Sequence, residues 1–452
     1  MAALSLQHMA RIQVGDNRRF LVTSLGEPFF WLADSAWDLL STMSREDVDY
    51  YLRIRAAQRF TVIQVAAVTT RAVGQLRPDV YGHQALSEGG LSQPQDEYFT
   101  HLDYVIARAA AHSMYVAVQP WRETPHAMGE LLHDPGTVLA FATWLARRYR
   151  EQPVVWLVAQ GTDAPSRALV GSLIQVLRTQ GGERQLIARL PLASAGAALA
   201  GDEAFDLVMR SCGPVCASVW RGEVLAQDAA LHPPADTAAA DGGAAAVDRG
   251  AAAVDRGAAA LSAPDAGGIA HAVRWGGYAD VFAGACGFSF VDGRLWSASE
   301  AAGGSPPTPW REALFHTAAE DMQFLRQLVE SRPYLCRIPD QNIIIAAAQQ
   351  TCATLRATRG ADGPSGSTGS YAFVYSRDGR PVTVALTKLT GTLIMASWFD
   401  PRTGVSTWLG QFAVRGQRAF VPPSQEDWVL VLEDSARHFQ QLGFGSDRRS
   451  NS

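Results

Sequence analysis

The sequence predicts an α/β fold, a (β/α)8 (TIM) barrel followed by a small antiparallel β-sandwich domain. Short apolar runs alternate with helical patterns from residue 28 onward, which implies a parallel sheet. No glycine-rich phosphate fingerprint follows the first strand, which counts against an open dinucleotide fold. Past Pro339 the helices stop and strands follow at short spacing, as in a sandwich. The length of 452 residues exceeds one ordinary core and accommodates both units.

The organising stretch is Phe29-Phe30-Trp31-Leu32-Ala33-Asp34-Ser35-Ala36-Trp37. Its apolar run is long enough for a buried strand and too short for a helix. It delivers Asp34 and Trp37 to the rim where a barrel's chemistry sits. The residue types also fit a capping Asp and a core Trp. Ser44 caps a helix carrying Val48, Tyr51, Leu52 and Arg55 on one face, with Asp47 as its capping-box partner. Thr61 to Ala66 reads as the second strand, followed by a polar loop with Tyr81-Gly82-His83.

A helix over 96–112 precedes the strand Met114 to Val118, which ends at Gln119-Pro120-Trp121. A helix over 136–150 leads into the strand Val154 to Val158. The helix from Pro165 to Thr179 stops at Gly181-Gly182. Gln185 to Ala188 and Phe205 to Met209 are the fifth and sixth strands. From Ile269 a helix carries into Ala283, Gly287 to Phe290 is the last barrel strand, and Trp310 to Ser331 the closing helix. Sandwich strands are read at 371–375, 382–386, 393–398 and 428–432.

These elements place the barrel at 1–335, the sandwich at 340–436 and a loose tail at 437–452. Residues 229–268 interrupt the barrel. Gly-Ala-Ala-Ala-Val-Asp-Arg occurs there in tandem, from Gly243 and from Gly250. The glycines and the lack of large apolar side chains rule out a coiled-coil seam, so the insertion is expected to be disordered.

A formal charge of -5 offers neither the basic surface of a nucleic-acid binder nor that of an anionic-membrane binder. Lys388 is the only lysine, which excludes lysine-dependent nucleophilic schemes in the first unit. The five cysteines are scattered and odd in number, unlike a disulfide framework or a zinc site. The ten histidines form no metal-ligand spacing. No metal or cofactor is expected. Residues 1–15 lack the core of a signal peptide, and no apolar run approaches the ~20 residues of a membrane span. A soluble cytoplasmic protein is the expectation; the oligomeric state is not readable.

Several blocks, in order, carry a resemblance. They are the stretch Phe29 to Trp37, Arg59-Phe60-Thr61-Val62-Ile63-Gln64 and Glu330-Ser331-Arg332-Pro333-Tyr334. Trp398-Phe399-Asp400-Pro401-Arg402-Thr403-Gly404 and Asp427-Trp428-Val429-Leu430 continue it. Together they resemble the apiosidase-like glycoside hydrolases, which join a barrel to a C-terminal sandwich sometimes labelled collagen-binding. The resemblance implies hydrolysis of a glycosidic bond in a plant or bacterial polysaccharide, by two carboxylates at the barrel's C-terminal rim.

The family's fourth strand ends Trp-Ile-Leu-Gly-Gly-Asp, whereas this chain reads Trp156-Leu157-Val158-Ala159-Gln160-Gly161. Asp163 is therefore the candidate acid, in a position that also fits a helix cap ahead of Pro165. Glu223, in Gly222-Glu223-Val224, is the candidate nucleophile or base, and otherwise a solvated loop residue. Thr70 stands where the family carries a Glu. The family's His- and Tyr-bearing run is here Phe288-Ser289-Phe290-Val291-Asp292. Asp34, Gln64, Tyr81 and His83 are candidate hydrogen-bonding contacts to sugar. Trp37, Trp121 and Trp296 are candidate stacking surfaces, each with a core role as its alternative. The second functional reading is a catalytically inactive barrel that binds carbohydrate or acts as a scaffold.

Overall fold

The computed structural model describes residues 9–72, 75–87, 93–122, 134–159, 164–182, 185–190, 204–213, 216–221, 266–292, 310–345 and 354–442. Three short strands, Ile12–Val14, Leu21–Thr23 and Pro28–Phe29, form an antiparallel meander ahead of the barrel.

Eight strands close the barrel. They are β1 (Trp31–Ser35), β2 (Val62–Ala66), β3 (Tyr115–Gln119), β4 (Val154–Val158), β5 (Ile187–Arg189), β6 (Leu207–Gly213), β7 (Cys216–Arg221) and β8 (Gly287–Phe290). Around them run α1 (Arg45–Ala57), α2 (Asp96–Ala111), α3 (Pro135–Arg148), α4 (Ala164–Gln180), α5 (Ala266–Phe282) and α6 (Thr317–Glu330). The predicted box at the start of α1 is present: Ser44 Oγ accepts from the Asp47 amide, and Asp47 Oδ2 accepts from the Ser44 amide.

An all-parallel ring was expected, and β7 departs from it. It pairs antiparallel with both β6 and β8, while the other ladders of the ring are parallel. Its connection from β6 spans only positions 214–215, and a link that short returns the chain as an antiparallel neighbour. Arg221 consequently pairs with Leu207, at the end where β6 begins.

The predicted closing helix is two helices, Trp310–Ala313 and α6. His316 takes an extended conformation between them, and its ring accepts from the Ala318 amide as the cap of α6. Of the predicted disordered insertion, 229–265 lies outside the described residues. Its last three residues instead open α5.

Strand alternation decides which side chains fill the lumen. Trp31, Ala33 and Ser35 point inward on β1, and their register partners on β8 and β2 are Gly287, Ser289 and Gln64. Gly287 is required there, since a Cβ would lie 2.4 Å from Trp31 Cβ. The Trp31 indole N–H donates to Ser289 Oγ at 3.2 Å.

The sandwich strands are β9 (Arg337–Pro339), β10 (Leu355–Gly360), β11 (Tyr371–Ser376), β12 (Val382–Ala385), β13 (Leu393–Phe399), β14 (Ser406–Ala413), β15 (Gln417–Phe420) and β16 (Trp428–Asp434). One antiparallel sheet has the order β9-β10-β11-β16-β13-β14, and β12 pairs with β15 in a second. Ile394, Ala396, Trp398, Leu430 and Leu432 face the core shared with Val382, Val384 and Phe420 of the second sheet.

The opposite face of the large sheet packs on the barrel. Tyr375 stacks on Tyr278 of α5 with centroids 4.8 Å apart, and Phe373 lies 6.0 Å from Phe282. Arg274 of α5 binds Asp427 in a fork (2.7 and 2.9 Å) and reaches Asp321 of α6 at 2.7 Å. Among the described residues, no helix is long and apolar enough to cross a membrane.

Candidate active site

The C-terminal ends of the parallel strands define the mouth. β1 leads there to Trp37 and Asp38, β2 to Thr69 and Thr70, and β3 to Trp121 and Arg122. The chain binds these exits together: the Ala66 amide donates to the Trp37 carbonyl, the Arg122 amide to the Val68 carbonyl, and the Arg77 amide to the Thr69 carbonyl.

Asp38 is the carboxyl group at the centre of this cluster. It precedes the short helix Leu39–Thr42 without capping it by its side chain, so its carboxyl group is available to the mouth. The side chain is 12% exposed and lies 4.0 Å from Arg77 Nε. Burial raises its pKa, and the charges of Arg122 and Arg77 offset only part of that rise. An acid that holds its proton more tightly than usual is suited to proton donation. The Arg122 guanidinium carbon sits 5.1 Å from the centre of the Trp37 ring, within cation–π distance.

The predicted site residues divide by their placement. Asp34 was expected as a sugar contact, but its side chain is buried away from the mouth. Its neighbours Ala33 and Ser35 occupy the lumen face, so alternation turns Asp34 toward the helices, where it is fully buried. Its Oδ2 accepts from Tyr51 Oη at 2.7 Å and from Arg55 Nε at 2.6 Å.

Gln64 does face the lumen, but below the mouth and 1% exposed. Its Oε1 accepts from Ser35 Oγ at 2.7 Å and its Nε2 donates to Ser289 Oγ at 3.1 Å. This network satisfies polar groups inside the barrel, in place of the sugar contact expected of Gln64.

Trp37 is at the mouth but 8% exposed, with Arg122 over its ring. Trp121 is half-buried and packs on the barrel core. Tyr81 and His83 come together in the loop after β2. The Tyr81 hydroxyl accepts from the Arg45 amide at 2.9 Å, and His83 Nδ1 lies 2.9 Å from Asp79 Oδ2. Asp79 also accepts the Tyr81 and His83 amides, at 2.9 and 2.8 Å, which fixes the shape of that loop. Asp163, Glu223 and Trp296 lie outside the described residues. Asp163 follows β4, whose end is at the mouth. Arg221, the last described residue before Glu223, ends β7 at the opposite rim.

Sequence reasoning passed over Asp38, Arg77, Asp79 and Arg122. Asp38 adjoins Trp37, and its position one residue past a strand-end Trp was the available signal. Nothing local marked the arginines. A surface depression of about 420 Å³ lies elsewhere, on the outer faces of the helices among Asp49, Tyr50, Arg53, Arg108 and Arg311. Among the described residues, no group of three or more His, Cys, Asp or Glu stands close enough to hold a metal ion.

A family model described as "Apiosidase-like, catalytic domain" matches residues 15–336. This chain belongs to the apiosidase-like family. A second model, for a collagen-binding domain of a collagenase, matches residues 338–433 of this apiosidase-like chain. A solved structure named as a glycoside hydrolase is 22% identical with a TM-score of 0.73, covering 94% of this chain and 97% of its own. A glycoside hydrolase family 5 structure from Bacteroides vulgatus is 22% identical with a TM-score of 0.74, covering 95% of each chain. No curated protein matches in sequence. At such identities the two structures establish the shared fold, and the family match establishes membership of the apiosidase-like family.

Proposed function

We propose that this apiosidase-like protein hydrolyses a glycosidic bond in a plant or bacterial polysaccharide, using two carboxyl groups at the mouth of its barrel. The observation that carries the reading is Asp38. It is a largely buried carboxyl at the C-terminal rim, with its pKa raised by burial and two arginines beside it.

Such hydrolysis needs one group to protonate the departing oxygen and another to attack or to activate water. A separation of roughly 5–5.5 Å gives retention and a wider one inversion. Asp38, which holds its proton more tightly than usual, takes the acid role that the sequence alone offered to Asp163. For the second role Asp163 is preferred to Glu223, because β4 leads toward the mouth while the strand before Glu223 runs toward the other rim. Trp37 and Arg122 would then border the bound sugar.

Turnover of aryl glycosides and pectic oligosaccharides by the wild type, Asp38→Asn, Asp163→Asn and Glu223→Gln tests this assignment. Loss of about 10²–10⁴-fold in kcat is expected for Asp38→Asn and Asp163→Asn, with Glu223→Gln near wild type. Unchanged turnover in Asp38→Asn defeats its assignment.

The second reading, an inactive carbohydrate-binding barrel, is favoured by Gly161 and Thr70, which stand where the family pattern has carboxylates. Thr70 is buried at the mouth. Sugar binding without turnover on the whole panel would establish that reading instead.

A further inference from the structure

We propose that Trp408, on the outermost strand of the sandwich, is the platform of a second glycan-binding site that holds a neutral sugar chain away from the barrel mouth. The choice of a sugar as ligand rests on the hydrolase reading; the geometry of the platform does not.

Cross-strand pairing places Phe373, Val431, Ser397 and Trp408 in one row across the large sheet. Directly paired residues share a face. The inner members of the row, Phe373 and Val431, are buried in the core that joins the sandwich to the barrel. The same face therefore runs from the domain interface out to β14, where the barrel no longer covers it. Trp408 stands there 63% exposed, with Val405 at 52% and Leu409 at 37% close by in sequence.

The surroundings select the kind of ligand. On the face of Trp408, its neighbours along β14 are Ser406 and Gln411, opposite Phe399 and Met395. Neither β13 nor β14 contains an ionisable residue. In the adjoining turn, Arg402 is paired with Asp400 at 2.8 Å and with Glu426 at 3.3 Å. No fixed charge in these strands would recognise an ionic partner.

An indole face carries negative π density, which complements the weakly positive C–H face of a pyranose. The exposed Gln411 amide beside it matches the sugar's own hydroxyls. Pairing of another strand along this edge is less suited. The ladder shifts register between Ala396 and Ser397, and Gly410 has φ +141°, an irregularity of the kind that protects edges from strand addition.

The test is electrophoretic mobility of the full-length protein in gels containing xyloglucan, neutral galactan or polygalacturonate, with turnover of a small aryl glycoside measured in parallel. Retardation by a neutral polysaccharide is expected. Trp408→Ala should weaken it about tenfold in dissociation constant, and Trp408→Tyr should retain part of it. Turnover of the small glycoside should be unchanged. Trp408-dependent retardation without any turnover supports this site while defeating the hydrolase reading.

Equal retardation of the wild type and Trp408→Ala overturns the proposal, as does retardation by polygalacturonate alone or by none of the gels. A concentration-dependent dimer in sedimentation that Trp408→Ala abolishes also overturns it, by assigning the platform to a second copy of the chain.

Discussion

Arg55 Nε lies 2.6 Å from Asp34 Oδ2, and both side chains are fully buried between the barrel and α1. Tyr51 and Arg55, four residues apart on one helix face, converge on the same oxygen. Arg55 Nη1 continues to the Gln58 side chain at 2.6 Å and to the Leu314 carbonyl at 2.9 Å. That carbonyl lies in the break between Trp310–Ala313 and α6. The first strand, the first helix and the last helices are thus joined through one guanidinium.

Breaking this pair should cost stability. Arg55→Met leaves a buried carboxylate without its counter-ion, a loss of about 3–5 kcal/mol. Urea unfolding of Arg55→Met, Asp34→Leu and the double variant measures it. The double variant should recover most of the loss, because replacing both charges by packed apolar groups is often nearly neutral. If Asp34→Leu raised KM while leaving stability intact, the placement of Asp34 would be wrong.

The lumen network predicts a different response. Gln64→Leu removes the partners of Ser35 Oγ and of one bond to Ser289, and should cost about 1–3 kcal/mol. A residue below the mouth should leave KM of the folded enzyme within twofold or so of wild type, on the same reasoning. Thermal melting alongside KM separates this from a sugar contact, which would shift KM at full stability.

Asp38 predicts a pH signature. Burial raises its pKa and Arg122 counteracts the rise. As proton donor it would be active when protonated, so the rate falls as pH climbs through its pKa. Arg122→Gln removes the counteracting charge and should move that alkaline limb to higher pH in kcat/KM. A limb that stays in place, or moves down, assigns the titration to another group.

The domain interface has its own titration. Burial lifts Asp321 from 3.8 to about 6, and the Arg274 charge offsets it only in part. Asp427, with the fork of Arg274 and the Tyr375 hydroxyl, is held below its usual range. The folded state therefore keeps the Asp321 proton more tightly than the unfolded chain. Its stabilising contribution is full below pH ~4 and lost as pH rises toward ~6. Asp321→Asn should flatten the stability profile across that window, read by melting temperature at pH 4, 5 and 6. A wild-type-like slope in the variant would discount Asp321 as its source.

Local patterning carried much of the architecture. The continuous apolar run Val154 to Val158 marks a strand covered on both faces, and the face of Val48, Tyr51 and Leu52 follows from a period of 3.6. The Ser44 cap was legible because its hydrogen bonds reach only three residues away. β7, β9, β10, β14 and β15 were not marked in advance; in β14, exposed positions such as Thr407-Trp408-Leu409 lack the alternation that burial on one face imposes.

What the amino-acid order determined by itself was seven of the barrel strands with the helices between them, the change to a sandwich past Pro339 and the family. These depend on contacts close along the chain, or on motifs read in order. Tertiary structure alone decided that Asp34 turns to Arg55 rather than to the mouth, because closure of the barrel assigns each alternate residue to lumen or helix layer. It also set β7 against its neighbours, and gathered Asp38, Arg77 and Arg122 from three separate loops. Those outcomes arise from pairing across long separations, which no local pattern encodes.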